Sequence, residues 1–112
     1  MSERAERADT TEPLVAVEAE SEFEEILANE PAVLVDFYVD WCGPCQLMEE
    51  TVESVSETVD AAVVKVDVDA FPGLAAHFNV SSIPTFIGFY RGEPSDRLIG
   101  MQDEESLCQL VG

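Results

Sequence analysis

Basic residues are nearly missing from this chain of 112 residues: five Lys and Arg stand against 24 Asp and Glu, for a formal net charge of −19. Lys65 is its single lysine. A chain so short of cations cannot neutralise a phosphate backbone, which excludes nucleic-acid binding. The same repulsion argues against anionic membrane surfaces. No apolar run approaches the roughly 20 residues of a membrane span. Met1 to Thr10 is charged and lacks the apolar stretch of a signal peptide, so a cytoplasmic location is expected. Cysteine is scarce as well. Three cysteines in a reducing compartment point to reactive or metal-binding thiols rather than a disulfide scaffold. What is present is apolar: 46% hydrophobic residues give a real core, and the length is that of one domain.

The acids are spread along the whole chain. Residues 1–25 hold nine acids, and the remainder holds 15 against the three bases Lys65, Arg91 and Arg97. Ordinary solubility needs a net charge of only about 2–8 in magnitude. The excess therefore points to adaptation to a salt-rich cytoplasm, where a Debye length of about 3 Å at 1 M removes self-repulsion. A solvated acidic surface that simply prevents aggregation is the alternative.

Residues 1–12 lack periodicity and read as a disordered acidic arm, leaving 13–112 as the folded domain. Leu14 to Val17 is an expected edge strand. Ser21 with Glu24 forms a Ser-x-x-Glu capping-box pattern ahead of a short helix carrying Phe23, Ile26 and Leu27, which ends near Asn29 and Pro31. Ala32 to Val39 is almost wholly apolar, the mark of a central strand buried on both faces. Gly43-Pro44 opens a helix with proline in its tolerated first turn. Leu47, Met48, Val52, Val55 and Val59 form its apolar stripe. A strand over Ala62–Val68, a short helix over Phe71–Phe78 and a strand over Thr85–Tyr90 follow. A turn at Arg91-Gly92-Glu93-Pro94 then leads to a strand over Arg97–Met101. Asp103 caps a last helix bearing Leu107, Leu110 and Val111. The order β-α-β-α-β-α-β-β-α predicts an α/β fold: a mixed sheet covered by helices, parallel where helices join strands and antiparallel at the closing hairpin.

The chemical centre is Trp41-Cys42-Gly43-Pro44-Cys45. A Cys-x-x-Cys at the mouth of a helix puts the first sulfur among unpaired backbone N–H groups at the positive end of the helix dipole, which favours the thiolate. The second sulfur, one turn on, is close enough for a disulfide and is expected to be more shielded. Cys42 would attack a substrate disulfide, and Cys45 would resolve the mixed disulfide. Gly43 and Pro44 add no side-chain donor, so the pair should act as a reductant. Trp41 supplies a flat apolar rim. Half of a zinc site is the competing reading, but only Cys108 and His77 remain as further ligands, and neither has a partner at ligand spacing. No metal or other cofactor is expected. Asp36 lies in an apolar strand, where burial would raise its pKa toward neutrality; a solvent-facing strand edge is its alternative. Cys108, among Leu107, Leu110 and Val111, reads as a small apolar filler.

Val35 to Cys45, Lys65-Val-Asp-Val-Asp69, Val80-Ser-Ser-Ile-Pro-Thr-Phe86, Gly92 and Gly100 together resemble the thioredoxin family over about Leu14 to Val111. The resemblance implies the thioredoxin fold, with a central mixed sheet of four to five strands flanked by helices. It also implies a general protein-disulfide reductase recharged by a thioredoxin reductase, with disulfide-containing proteins as substrates; separately, a monomer is expected. Asp36 would lie behind the dithiol and exchange the Cys45 proton, with Lys65 paired to it. The Ile83–Pro84 bond would be cis beside Cys42, and the Ile83 backbone would be free to pair with an extended substrate. Gly100 would leave room for that substrate, or else mark a strand bulge. Gln46, Glu50 and Tyr38 depart from common family residues. An acidic rim near Cys42 should disfavour acidic substrates and require a reductase of matching surface. A binding module whose dithiol switches one dedicated partner is the alternative function.

Overall fold

The computed structural model describes residues 14–112; the expected disordered arm lies outside them. Five strands form one sheet: β1 (Leu14–Ala16), β2 (Ala32–Tyr38), β3 (Ala62–Asp67), β4 (Thr85–Tyr90) and β5 (Glu93–Ile99). Their spatial order is β1-β3-β2-β4-β5. The β1–β3 and β2–β3 pairs are parallel, while β2–β4 and β4–β5 are antiparallel. The helices are α1 (Glu20–Asn29), α2 (Gly43–Leu47), α3 (Glu49–Thr58), α4 (Pro72–His77) and α5 (Glu104–Val111). The mixed five-stranded sheet flanked by helices is the expected thioredoxin fold.

Period-two alternation along β2 sorts the core into two layers. Val33, Val35 and Phe37 pack with Phe23 of α1, Leu74 of α4, and Ile87 and Phe89 of β4. Leu34 packs on the other side with Met48, Val52 and Val55, with Val63 and Phe86, and with Leu107 of α5. Because β2 is central, both of its faces are covered, which is why its sequence is an almost unbroken apolar run.

Three boundaries differ from the sequence reading. The cap of α1 is Ala19, with no side-chain bond; Ser21 already lies in the first turn, and Glu22 Oε1 instead accepts from the Glu18 N–H at 2.8 Å. The helix after the dithiol is two helices. Met48 sits between them at φ −87° and ψ −5°, its N–H pointing at the carbonyls of both Pro44 and Cys45. Leu47, one residue before Met48, lies about 100° of helical rotation from Met48, off the face of Met48, Val52, Val55 and Val59, and is 71% exposed. The last hairpin is tighter than expected. Arg91 and Gly92, both with positive φ (52° and 82°), suit a two-residue turn, so β5 begins at Glu93 and ends at Ile99. Pro94 is accommodated because β5 is the sheet edge. Asp103 does cap α5, accepting from the Ser106 N–H at 2.8 Å.

Candidate active site

The site is built where β2 runs out. Val39 is buried at the end of the apolar run, and the chain turns through Asp40 and Trp41 into α2. Cys42 is the N-cap of α2, and its Sγ accepts from the Cys45 N–H at 3.1 Å. A donor aimed at sulfur stabilises a thiolate. Cys42 and Cys45 are joined as a disulfide, with Cα atoms 5.2 Å apart. In this oxidised form their exposures are 6% and 7%, so the greater shielding expected for Cys45 is absent. The pair packs with Val39, Tyr38, Val68 and Ile83.

Behind it, Asp36 is 5% exposed, and its Oδ1 has no hydrogen-bond partner. Burial raises its pKa from 3.8 to about 7, against the opposing pull of Lys65 and with a further push from Glu49. Asp36 and Lys65 are register partners across β2 and β3. Yet the Lys65 ammonium lies over the Tyr38 ring, 4.4 Å from its centroid. A cavity of about 410 Å³ is lined by these three residues together with Val39, Asp40, Cys45, Gln46 and Glu49. It brings Asp36 and Cys45 to one space, which is what proton exchange between them requires.

Of the remaining expected residues, Ile83 packs directly on the disulfide cluster. Trp41 is 72% exposed and held in place by its Nε1–H, which donates to Asp69 Oδ2 at 2.8 Å. The Ile83–Pro84 peptide bond is cis, and the Thr85 hydroxyl bridges back to the Ser82 carbonyl at 2.5 Å. The Gly100 N–H donates to the Pro84 carbonyl at 2.8 Å, joining the end of β5 to this loop. Gly100 has φ +87°, and a Cβ there would meet nothing within 4 Å, so backbone conformation rather than crowding within the chain calls for glycine. The strand irregularity lies at Gly88/Phe89, away from Gly100. Gly43 is exposed, and open space surrounds its Cβ position.

Cys108 lies elsewhere, packed partly buried against the cluster containing Leu34 and Leu107, where burial and Glu104 push its thiol pKa up. His77 is exposed, with its ring against the edge of Phe78. The sequence reading missed two features. Asp69 stands 28 residues from the tryptophan it holds, although it lies within the Lys65–Asp69 stretch. Glu49 read only as one of several surface acids. Among the described residues no helix is long and apolar enough to cross a membrane.

The thioredoxin family model matches residues 14–112. The chain is 42% identical over 92 residues to chloroplastic thioredoxin Y1 of Arabidopsis thaliana, an alignment covering 80% of this chain and 54% of that relative, so it spans about half of that protein's length. It is 36% identical over 99 residues to the thioredoxin of Chlamydia trachomatis serovar D, covering 88% of this chain and 96% of the relative. Among solved structures, a point mutant of the thioredoxin from Halobacterium salinarum NRC-1 superposes with a TM-score of 0.83 at 41% identity, covering 88% of this chain and 87% of that one. Fold, dithiol placement and these matches agree: the chain belongs to the thioredoxin family, and it is a thiol–disulfide oxidoreductase.

Proposed function

We propose that this protein is a general protein-disulfide reductase of the cytoplasm, recharged by a thioredoxin reductase. The observation that carries the reading is the Cys42–Cys45 pair at the head of α2, with a donor on the Cys42 sulfur and a buried carboxyl behind Cys45. The Cys42 thiolate attacks one sulfur of a substrate disulfide, forming a mixed disulfide and releasing the other sulfur as a thiolate. Cys45 gives its proton to ionised Asp36 and attacks Cys42 Sγ. That releases the second substrate sulfur and closes the Cys42–Cys45 disulfide. Two electrons pass to the substrate, its thiolates take up protons, and the reductase returns two electrons to the pair. Lys65 favours the ionised form of Asp36. Trp41, Gly43, Pro44, the Ile83 backbone, Pro84 and Gly100 form the platform for an extended substrate segment.

The acid excess supports a working environment rich in salt, and the Halobacterium relative fits it. A second reading, a redox switch for one dedicated partner, draws on Gln46, Glu50 and the acidic surroundings of Cys42. Insulin reduction driven by dithiothreitol separates the two. Broad turnover is expected of a carrier; no turnover with insulin or other unrelated disulfide proteins would leave the dedicated switch.

A further inference from the structure

Charged and titratable groups face the Asp36 carboxyl across the cavity from every element that walls it. Tyr38 stands on β2 and Asp40 just after it, Cys45 on α2, Glu49 at the first position of α3, and Lys65 on β3. On β4 the register partner of Asp36 is Phe86, which carries no charge. The helix α5 contributes Glu104, Glu105 and Cys108, none of which lines the cavity.

No hydrogen bond fixes the state of Asp36 Oδ1, because that buried atom has no partner. The Lys65 ammonium is drawn onto the Tyr38 ring. Burial sets the carboxyl against ionisation first, and the charges across the cavity then adjust that balance. Of the groups on its walls, Lys65 favours the carboxylate and Glu49 opposes it. We propose that Glu49 is a positioning residue for the Asp36 proton: from the head of α3, on the cavity wall, its carboxylate works against Lys65 and holds back the ionisation that readies Asp36 to take the Cys45 proton. The proposal rests on Asp36 being that acceptor. It also predicts a response to salt. Glu49 is exposed and Lys65 half-buried, so ions screen the acid more than the ammonium, and high salt should release Asp36 toward the carboxylate.

The test is a titration of the Asp36 carboxyl by carbon-13 NMR in the reduced full-length chain, in dilute buffer and in molar KCl, alongside the pH profile of disulfide reduction. In dilute buffer Glu49→Gln should lower the Asp36 midpoint by about half a pH unit, the size expected for one exposed charge acting across a cavity. The acid limb of the activity profile should move with it. Glu50→Gln, one residue along and off the cavity wall, removes the same charge and should leave both in place. Molar KCl should bring wild type and Glu49→Gln together. Coincident midpoints for these two proteins in dilute buffer overturn the proposal. So does an equal displacement in Glu50→Gln, which would make net charge the cause. An activity profile unmoved by Asp36→Asn overturns both this proposal and the acceptor role of Asp36. An unmoved midpoint in Glu49→Gln, with a profile that still answers to Asp36→Asn, overturns the Glu49 proposal alone.

Discussion

Asp36 and Lys65 are register partners in the parallel β2–β3 ladder, but the lysine ammonium rests on Tyr38 while Asp36 Oδ1 goes without a partner. A carboxyl left this way inside a core keeps its proton far above the usual range, because ionising it there means taking a charge out of water.

Asp36→Asn should therefore stabilise the fold, and only at higher pH. The folded-state pKa of about 7 exceeds the ordinary 3.8. Stability from the protonated form is fully present below about 3.8 and lost as pH rises through about 7. Above that point the ionised carboxylate costs on the order of 4 kcal/mol relative to a neutral side chain. Urea melts of the two proteins should coincide in acid and separate above neutrality; equal separation at both would contradict this origin.

Cys45→Ser should leave Cys42 able to attack and unable to be released. Mixed disulfides with substrate should accumulate on non-reducing gels and disappear with dithiothreitol. If no covalent adducts form, Cys42 is not the attacking thiol or Cys45 not the resolving one.

Gly88→Ala should destabilise the protein by roughly 1–3 kcal/mol. A Cβ there would lie 2.6 Å from the Leu110 backbone oxygen of α5, and a backbone atom cannot swing aside as a side-chain tip can. Denaturation midpoints check it, and an unchanged midpoint would mean that α5 shifts freely on the sheet.

Asp69→Ala should release Trp41 with little loss of stability, since the bond it removes lies at the surface. Trp41 is the chain's single tryptophan, so its fluorescence reports the change directly. A severalfold rise in KM for disulfide proteins should accompany it. Unchanged emission and KM would show that the indole is held by something else.

The melting temperature should rise from dilute buffer to molar KCl, because the described part of the chain alone carries a large acid excess that low salt leaves unscreened. Equal melting temperatures would rule out a surface tuned to salt.

The central strand and the dithiol were legible because each has a signal confined to a few adjacent residues: an unbroken apolar run from Ala32, and two cysteines at the mouth of a helix. The start of β5 was not, since Glu93 to Asp96 is polar and contains proline, and only a place at the sheet edge makes that acceptable. The break at Met48 carries no glycine or proline of its own, and the apolar periodicity runs straight through it. The Trp41–Asp69 bond and the cavity face of Glu49 arise only when distant segments are brought together, which no local pattern records. The pairing of Lys65 with Asp36 came from family likeness. Its physical form, a shared register with the ammonium diverted to an aromatic ring, needed the structure.

The interruption at Met48 separates two kinds of evolutionary freedom. The sulfurs sit at the cap and inside a five-residue helix, while the next four acids, Glu49, Glu50, Glu53 and Glu57, ride on the helix that follows, facing water. Beyond its first residue, α3 can gain or shed carboxylates as the salinity of a habitat changes, and the geometry of electron transfer stays as it was.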